Sequence, residues 1–101
     1  MSDLVIVTRH PALVAYLIEI GLCWEGCRVI THATPDDVSG MRVIGVLPLH
    51  LAALARSVTE VPLDLPPAMR GQELTLEQVR QYAGTPRTYV VHDITRDESC
   101  E

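Results

Sequence analysis

Leu4-Val5-Ile6-Val7-Thr8-Arg9-His10-Pro11 is the stretch that decides how this chain folds. Residues 3–8 are apolar and mostly β-branched with poor alternation, as in a central parallel strand buried on both faces. A polar tip follows, and Pro11 suits the first position of a helix. Leu13, Tyr16, Leu17 and Ile20 then recur at helical spacing until Gly21. The pattern returns in Val43-Ile44-Gly45-Val46-Leu47-Pro48-Leu49-His50, which predicts a strand over 42–46. A helix opened by Pro48 follows to about Arg56, with Leu47, Leu51 and Leu54 inward. Ligands of open α/β sheets bind outside the carboxyl ends of strands, where helix N-termini also point. Two such junctions predict one composite site for an anion.

Further strands are expected over 28–32, 58–63 and 89–94. Thr34-Pro35-Asp36-Asp37 to Gly40 reads as a polar connection, and Pro66 to Leu74 as a loop. Thr75 and Gln78 form a capping box that opens another helix. The order β-α-β-β-α-β-α-β predicts one α/β domain over residues 1–94, a small Rossmann-like, mostly parallel sheet flanked by helices. Residues 95–101 read as an acidic flexible tail. No glycine fingerprint follows the first strand, so a dinucleotide is not expected.

Composition narrows the function. Of 101 residues 48% are hydrophobic but only 4% aromatic, with no Phe, so the core must be aliphatic. No apolar run approaches the roughly 20 residues of a membrane span, and no signal-peptide pattern opens the chain. The expectation is a cytoplasmic protein. A net charge of −5 argues against general binding to duplex nucleic acid. All eight basic residues are Arg, which suits bidentate phosphate contact, although a GC-rich coding sequence would produce the same bias. Cys23, Cys27 and Cys100 suggest no disulfide framework, and with His32 and His50 they do not make a zinc spacing.

Arg9 and His10 are the leading candidates, a guanidinium to grip a phosphate beside an imidazole to move a proton. His50 lies one turn into the helix opened by Pro48, and Gly45 permits close backbone approach to a ligand or to a neighbouring element. Arg70-Gly71-Gln72-Glu73 could close over the crevice, with Glu73 orienting Arg70 or serving as a base. A plain helix start, with Glu73 favouring the dipole, explains the same residues. Asp64 ends a strand beside two prolines, and His32 and His92 read as structural residues within strands. With no nucleophile elbow, P-loop or metal triad, metal-free chemistry and no cofactor are expected.

Four segments in order resemble a known family: Thr8-Arg9-His10-Pro11, Gly45 through Ala53, Asp64-Leu65-Pro66, and Arg70-Gly71-Gln72-Glu73-Leu74. They are similar to the Csx-sixteen family, small CRISPR-associated accessory proteins of type III loci, over about Leu4 to Tyr89. The chain departs from the family pattern where Ala12 replaces a glycine and Val46 a threonine. The resemblance implies a CARF-like fold and a ring nuclease that degrades cyclic oligoadenylate, typically cyclic tetra-adenylate, an antiviral alarm signal. It implies Arg9, His10, His50 and Arg70 as catalytic residues and Thr8, Gly45, Leu47, Pro48, Gly71 and Glu73 as ligand contacts. A ring ligand is naturally held by a two-fold homodimer. A sensor that binds the ring without cutting it, or an interaction protein with incidental histidines, fits the same residues.

Overall fold

β1 (Leu4–Val7) is buried at every position and lies between two parallel neighbours, β2 (Arg28–Ile30) and β3 (Arg42–Gly45). This is the double burial that its unbroken apolar run predicts. The computed structural model describes residues 3–95; most of the expected acidic tail, residues 96–101, lies outside the described residues. β4 (Ser57–Glu60) adds to β3 in parallel, and β5 (Arg87–Tyr89) adds to β4 antiparallel. The sheet order is β2-β1-β3-β4-β5. The chain is therefore the expected α/β domain with a mostly parallel sheet, closed at one edge by an antiparallel strand.

Alternation along β1 divides the core between two layers. Leu4 and Ile6, with Ile44, face α1 (Pro11–Glu19) and α4 (Leu76–Tyr82), where Leu13, Leu17 and Val79 are buried. Val5 and Val7, with Val43 and Val58, face α2 (Pro35–Val38) and α3 (Leu49–Ala52), where Val38, Leu51 and Ala52 are buried. Val5, Ile6, Leu17, Val38, Val43 and Val79 are the largest fully buried side chains. Each contributes about 1.5–3 kcal/mol by leaving water. Ion pairs tie the outside: Asp3 accepts from Arg42 at 2.9 Å and from Arg56 at 3.0 Å, joining the amino ends of three neighbouring strands.

Several expectations need correction. The 34–40 connection contains a helical turn, α2, because the Asp37 carboxylate accepts from the Thr34 N–H at 2.9 Å and Val38 anchors the turn in the core. The element order is thus β-α-β-α-β-α-β-α-β, with a 3-10 turn (Pro67–Met69) before α4. Pro48 is the N-cap of α3 rather than its first residue; α3 stops at Ala52, and Leu54 is exposed. The strand expected over 58–63 ends at Glu60, since Pro62 lacks the N–H a ladder needs. The last strand is 87–89 rather than 89–94, because its partner β4 begins at Ser57 and Tyr89 already pairs with Val58. His32 and His92 consequently lie outside strands, both exposed. The capping box at Thr75 is as expected, with the Thr75 hydroxyl accepting from the Gln78 N–H at 3.2 Å.

Candidate functional site

The chain passes from β1 to β2 on one side, then to β3 on the other side of β1. The carboxyl ends of β1 and β3 are therefore a topological switch point, where open α/β sheets hold their ligands. The two strands stay in register to Val7 and Gly45. Gly45 has φ +142°, and a Cβ built there would overlap the Val7 carbonyl oxygen. Glycine is what lets the two backbones meet.

Beyond that pair opens a cavity of about 400 Å³. Thr8, Arg9, His10 and Thr31 supply its polar wall; Leu13, Ile44, Val61 and Leu63 are among its apolar lining. The turn that presents the polar wall is fixed by its own hydrogen bonds. The Thr8 N–H donates to the Ile30 carbonyl at 3.0 Å, anchoring the tip to β2. The Thr8 hydroxyl accepts from the His10 N–H at 3.1 Å, and the His10 carbonyl accepts from the Leu13 N–H at 3.0 Å. His10 is thereby set as the N-cap of α1, half-buried, with its side chain making no cap hydrogen bond. Pro11 contributes no N–H at the first helical position.

Arg9 is exposed and reaches further than this one cavity. It also lines a hollow of about 310 Å³ beside Pro11, Val14 and Val29. A third hollow, of about 280 Å³, lies beside His32, Leu47, Pro48 and Leu51. Among the described residues, no carboxylate lines any of the three. Arg28 and Arg80 each pair with an Asp or Glu of their own, and Arg42 and Arg56 share Asp3. The Arg9 guanidinium takes part in no ion pair or hydrogen bond among the described residues. In a chain of net charge −5, the crevice is a local region of uncompensated positive charge, which favours an anion.

Of the residues singled out in the sequence, Thr8, Arg9, His10 and Gly45 share one cavity, and Leu47 and Pro48 meet Arg9 in the adjoining one. Arg70, Gly71 and Glu73 are exposed on the stretch before α4 and line none of these hollows. His50 is exposed on α3 and lines none either. Val61 and Leu63, which follow β4, supply apolar lining on the β4 side of the cavity. Thr31 and His32 were missed as site residues; they lie just past the carboxyl end of a β2 only three residues long. The rule that selects Arg9, polar residues after a strand, would have found them had that strand been ended at Ile30. Val46 lines two of the three hollows and is 72% exposed.

Among the described residues, no group of three or more His, Cys, Asp or Glu side chains is placed to hold a metal ion. Nor is any helix among them long and apolar enough to cross a membrane.

A family model described as "Putative CRISPR-associated protein (Cas_VVA1548)" matches residues 5–92. The chain belongs to this CRISPR-associated family. Its match begins in β1 and runs past β5, so it takes in all five strands and every wall of the Arg9 crevice. No curated protein and no solved structure matches the chain.

Proposed function

We propose that this CRISPR-associated protein is a metal-independent ring nuclease of the Csx-sixteen kind, cleaving cyclic tetra-adenylate and so switching off type III signalling in the cytoplasm. The observation that carries the reading is Arg9: a guanidinium at the switch point of the sheet, with no ion-pair partner and no carboxylate in its crevice among the described residues. Three adjoining hollows around one cation suit a ligand of several nucleotide units better than a single small anion.

The chemistry needs few groups. A ribose 2′-hydroxyl attacks the adjacent phosphorus, a 2′-O–P bond forms and the P–O5′ bond breaks. The hydroxyl proton ends on the departing 5′ oxygen. The products are linear adenylates ending in a cyclic phosphate. Arg9 stabilises charge developing on the phosphate oxygens, a contribution of roughly 3–4 kcal/mol for one well-placed donor. His10, half-buried beside it with an uncommitted side chain, is the group positioned to pass the proton. Holding the 2′ oxygen in line with the scissile bond supplies much of the remaining acceleration. His50, Arg70, Gly71 and Glu73 have no part in the single-copy cavity, so the proposal rests on Arg9 and His10. A two-fold homodimer would offer the ring two such crevices.

The test is incubation of purified protein with labelled cyclic tetra-adenylate in chelator. Linear products with a cyclic phosphate end are expected, lost in Arg9→Ala and largely retained in Arg70→Ala. Tight binding of a ring that stays intact would replace the nuclease by a sensor. Absence of binding would defeat both.

A further inference from the structure

Cys23 and Cys27 lie away from the Arg9 hollows, in the turn that carries the chain from α1 into β2. Cys23 is held back against α1: its N–H donates to the Leu17 carbonyl at 3.4 Å, and its side chain is buried in the core layer under α1 and α4. Cys27, half-buried, packs against the same layer. The segment between them doubles back. The Cys27 N–H donates to the Trp24 carbonyl at 3.1 Å, and Gly26 supplies the positive φ, +88°, that so tight a turn requires. The two sulfurs meet across this turn. Burial first, and then the adjoining Cys27 sulfur, push the Cys23 thiol up to about 11.

Two neighbouring thiols can bind a metal or join to each other. A metal needs further ligands, and among the described residues no group of three or more His, Cys, Asp or Glu is placed to hold one. We propose that Cys23 and Cys27 form a site of reversible oxidation, closing to a disulfide when a hydroperoxide reaches Cys27. The odd number of cysteines argues against a permanent disulfide framework and leaves a reversible pair open.

The two sulfurs have different roles. Attack on a peroxide follows exposure and thiolate character, so Cys27 is the sulfur that reacts first. Its thiolate takes one peroxide oxygen, the O–O bond breaks and hydroxide leaves as water, giving a Cys27 sulfenic acid. The Cys23 sulfur then attacks the Cys27 sulfur. An S–S bond forms, the S–O bond breaks, and the departing hydroxide takes the proton that burial had kept on Cys23. Two thiols lose two electrons, and the peroxide is reduced to two waters. The new bond ties the end of α1 to the entry of β2, an edge strand of three residues paired to β1. None of this depends on the nuclease reading.

The experiment treats reduced full-length protein with hydrogen peroxide, alkylates it after denaturation, and reads intact mass and peptide map. A loss of two hydrogens is expected, with Cys23 and Cys27 protected from alkylation and the change reversed by dithiothreitol. Cys100→Ser should behave alike, and its oxidised form should melt about 5–15 °C above its reduced form. In Cys23→Ser the reaction should stop at a Cys27 sulfenic acid trapped by dimedone. Cys27→Ser, a change at a half-buried position, should leave Cys23 unoxidised, and it serves if Cys23→Ser does not fold. The proposal is overturned if Cys27 proceeds to sulfinic acid while Cys23 stays open to alkylation, or if the disulfide forms to Cys100 instead. It is equally overturned if peroxide leaves both thiols free, or if the oxidised Cys100→Ser protein melts no higher than the reduced one.

Discussion

Replacing Gly45 with alanine places a methyl group on the Val7 carbonyl oxygen, at a backbone φ of +142° that side chains rarely adopt. The magnitude follows from comparison with Gly26, which has φ +88° and open space where a Cβ would stand. Gly26→Ala therefore isolates backbone strain, about 1–2 kcal/mol. Gly45→Ala adds overpacking of about 1–3 kcal/mol. The overlap cannot be relieved by a rotamer change, because the obstructing atom belongs to the backbone of a strand paired on both sides. The expected cost is about 2–5 kcal/mol, a large part of the roughly 5–15 kcal/mol that holds a domain folded. Near 100 residues each kcal/mol moves the midpoint by about 4–8 °C, so Gly45→Ala should melt about 8–40 °C below wild type and Gly26→Ala about 4–16 °C below. Thermal unfolding by circular dichroism, with urea titrations to check that the slope is unchanged, measures both. If Gly45→Ala loses no more than Gly26→Ala, the close approach of β1 and β3 does not define the crevice.

Arg9→Ala should slow ring cleavage by about 10²–10³ without moving the unfolding midpoint, because the side chain is exposed and unpaired among the described residues; a fall in both would show a structural role. Thr75→Ala removes the hydroxyl that caps α4 and should cost about 1 kcal/mol, with Thr75→Asp recovering most of it in the same melts. Acid should destabilise the fold. The Arg42 hydrogen bond holds the Asp3 carboxyl below its ordinary 3.8, and the Arg80 hydrogen bond holds Glu19 below 4.5. The Thr34 N–H does the same for Asp37. Depressed carboxylates contribute stability that is complete above their ordinary values and lost as pH falls through the folded ones. The midpoint should thus be flat from pH 7 to about 5 and fall below about pH 4. Asp3→Asn should shallow that fall, and a midpoint rising on acidification would contradict the pairing.

The parallel core was legible because burial on both faces demands unbroken apolar runs, and Leu4–Val7 and Val43–Ile44 are such runs. The tip at Thr8 to Pro11 was legible for a related reason: polar residues directly after a buried strand must lie at its open end. Short elements escaped. α2 is one turn, held by a side-chain bond and a single buried valine that no periodicity reveals. Tyr89 to Ile94 has the composition of a strand, yet a strand needs a partner, and β4 offers only four residues. Arg70 and Glu73 looked like a lid from their chemistry; their place off the cavity wall depends on where the chain turns after Pro62.

Local order in the chain settles which residues are strand, helix or tip, because burial period, proline and capping act over a few neighbours. Arg9 and His10 could be picked out on that basis alone. Which tips converge is a matter of strand order, and strand order depends on packing between residues far apart in the chain. Only the placement of β1 between β2 and β3 brings Arg9 to the end of Gly45, sets Thr31 and His32 beside it, and leaves His50 outside. That no carboxylate among the described residues lines the Arg9 hollows is decided at the same level, as is the pairing of Asp3, Glu19 and Asp37 with other arginines.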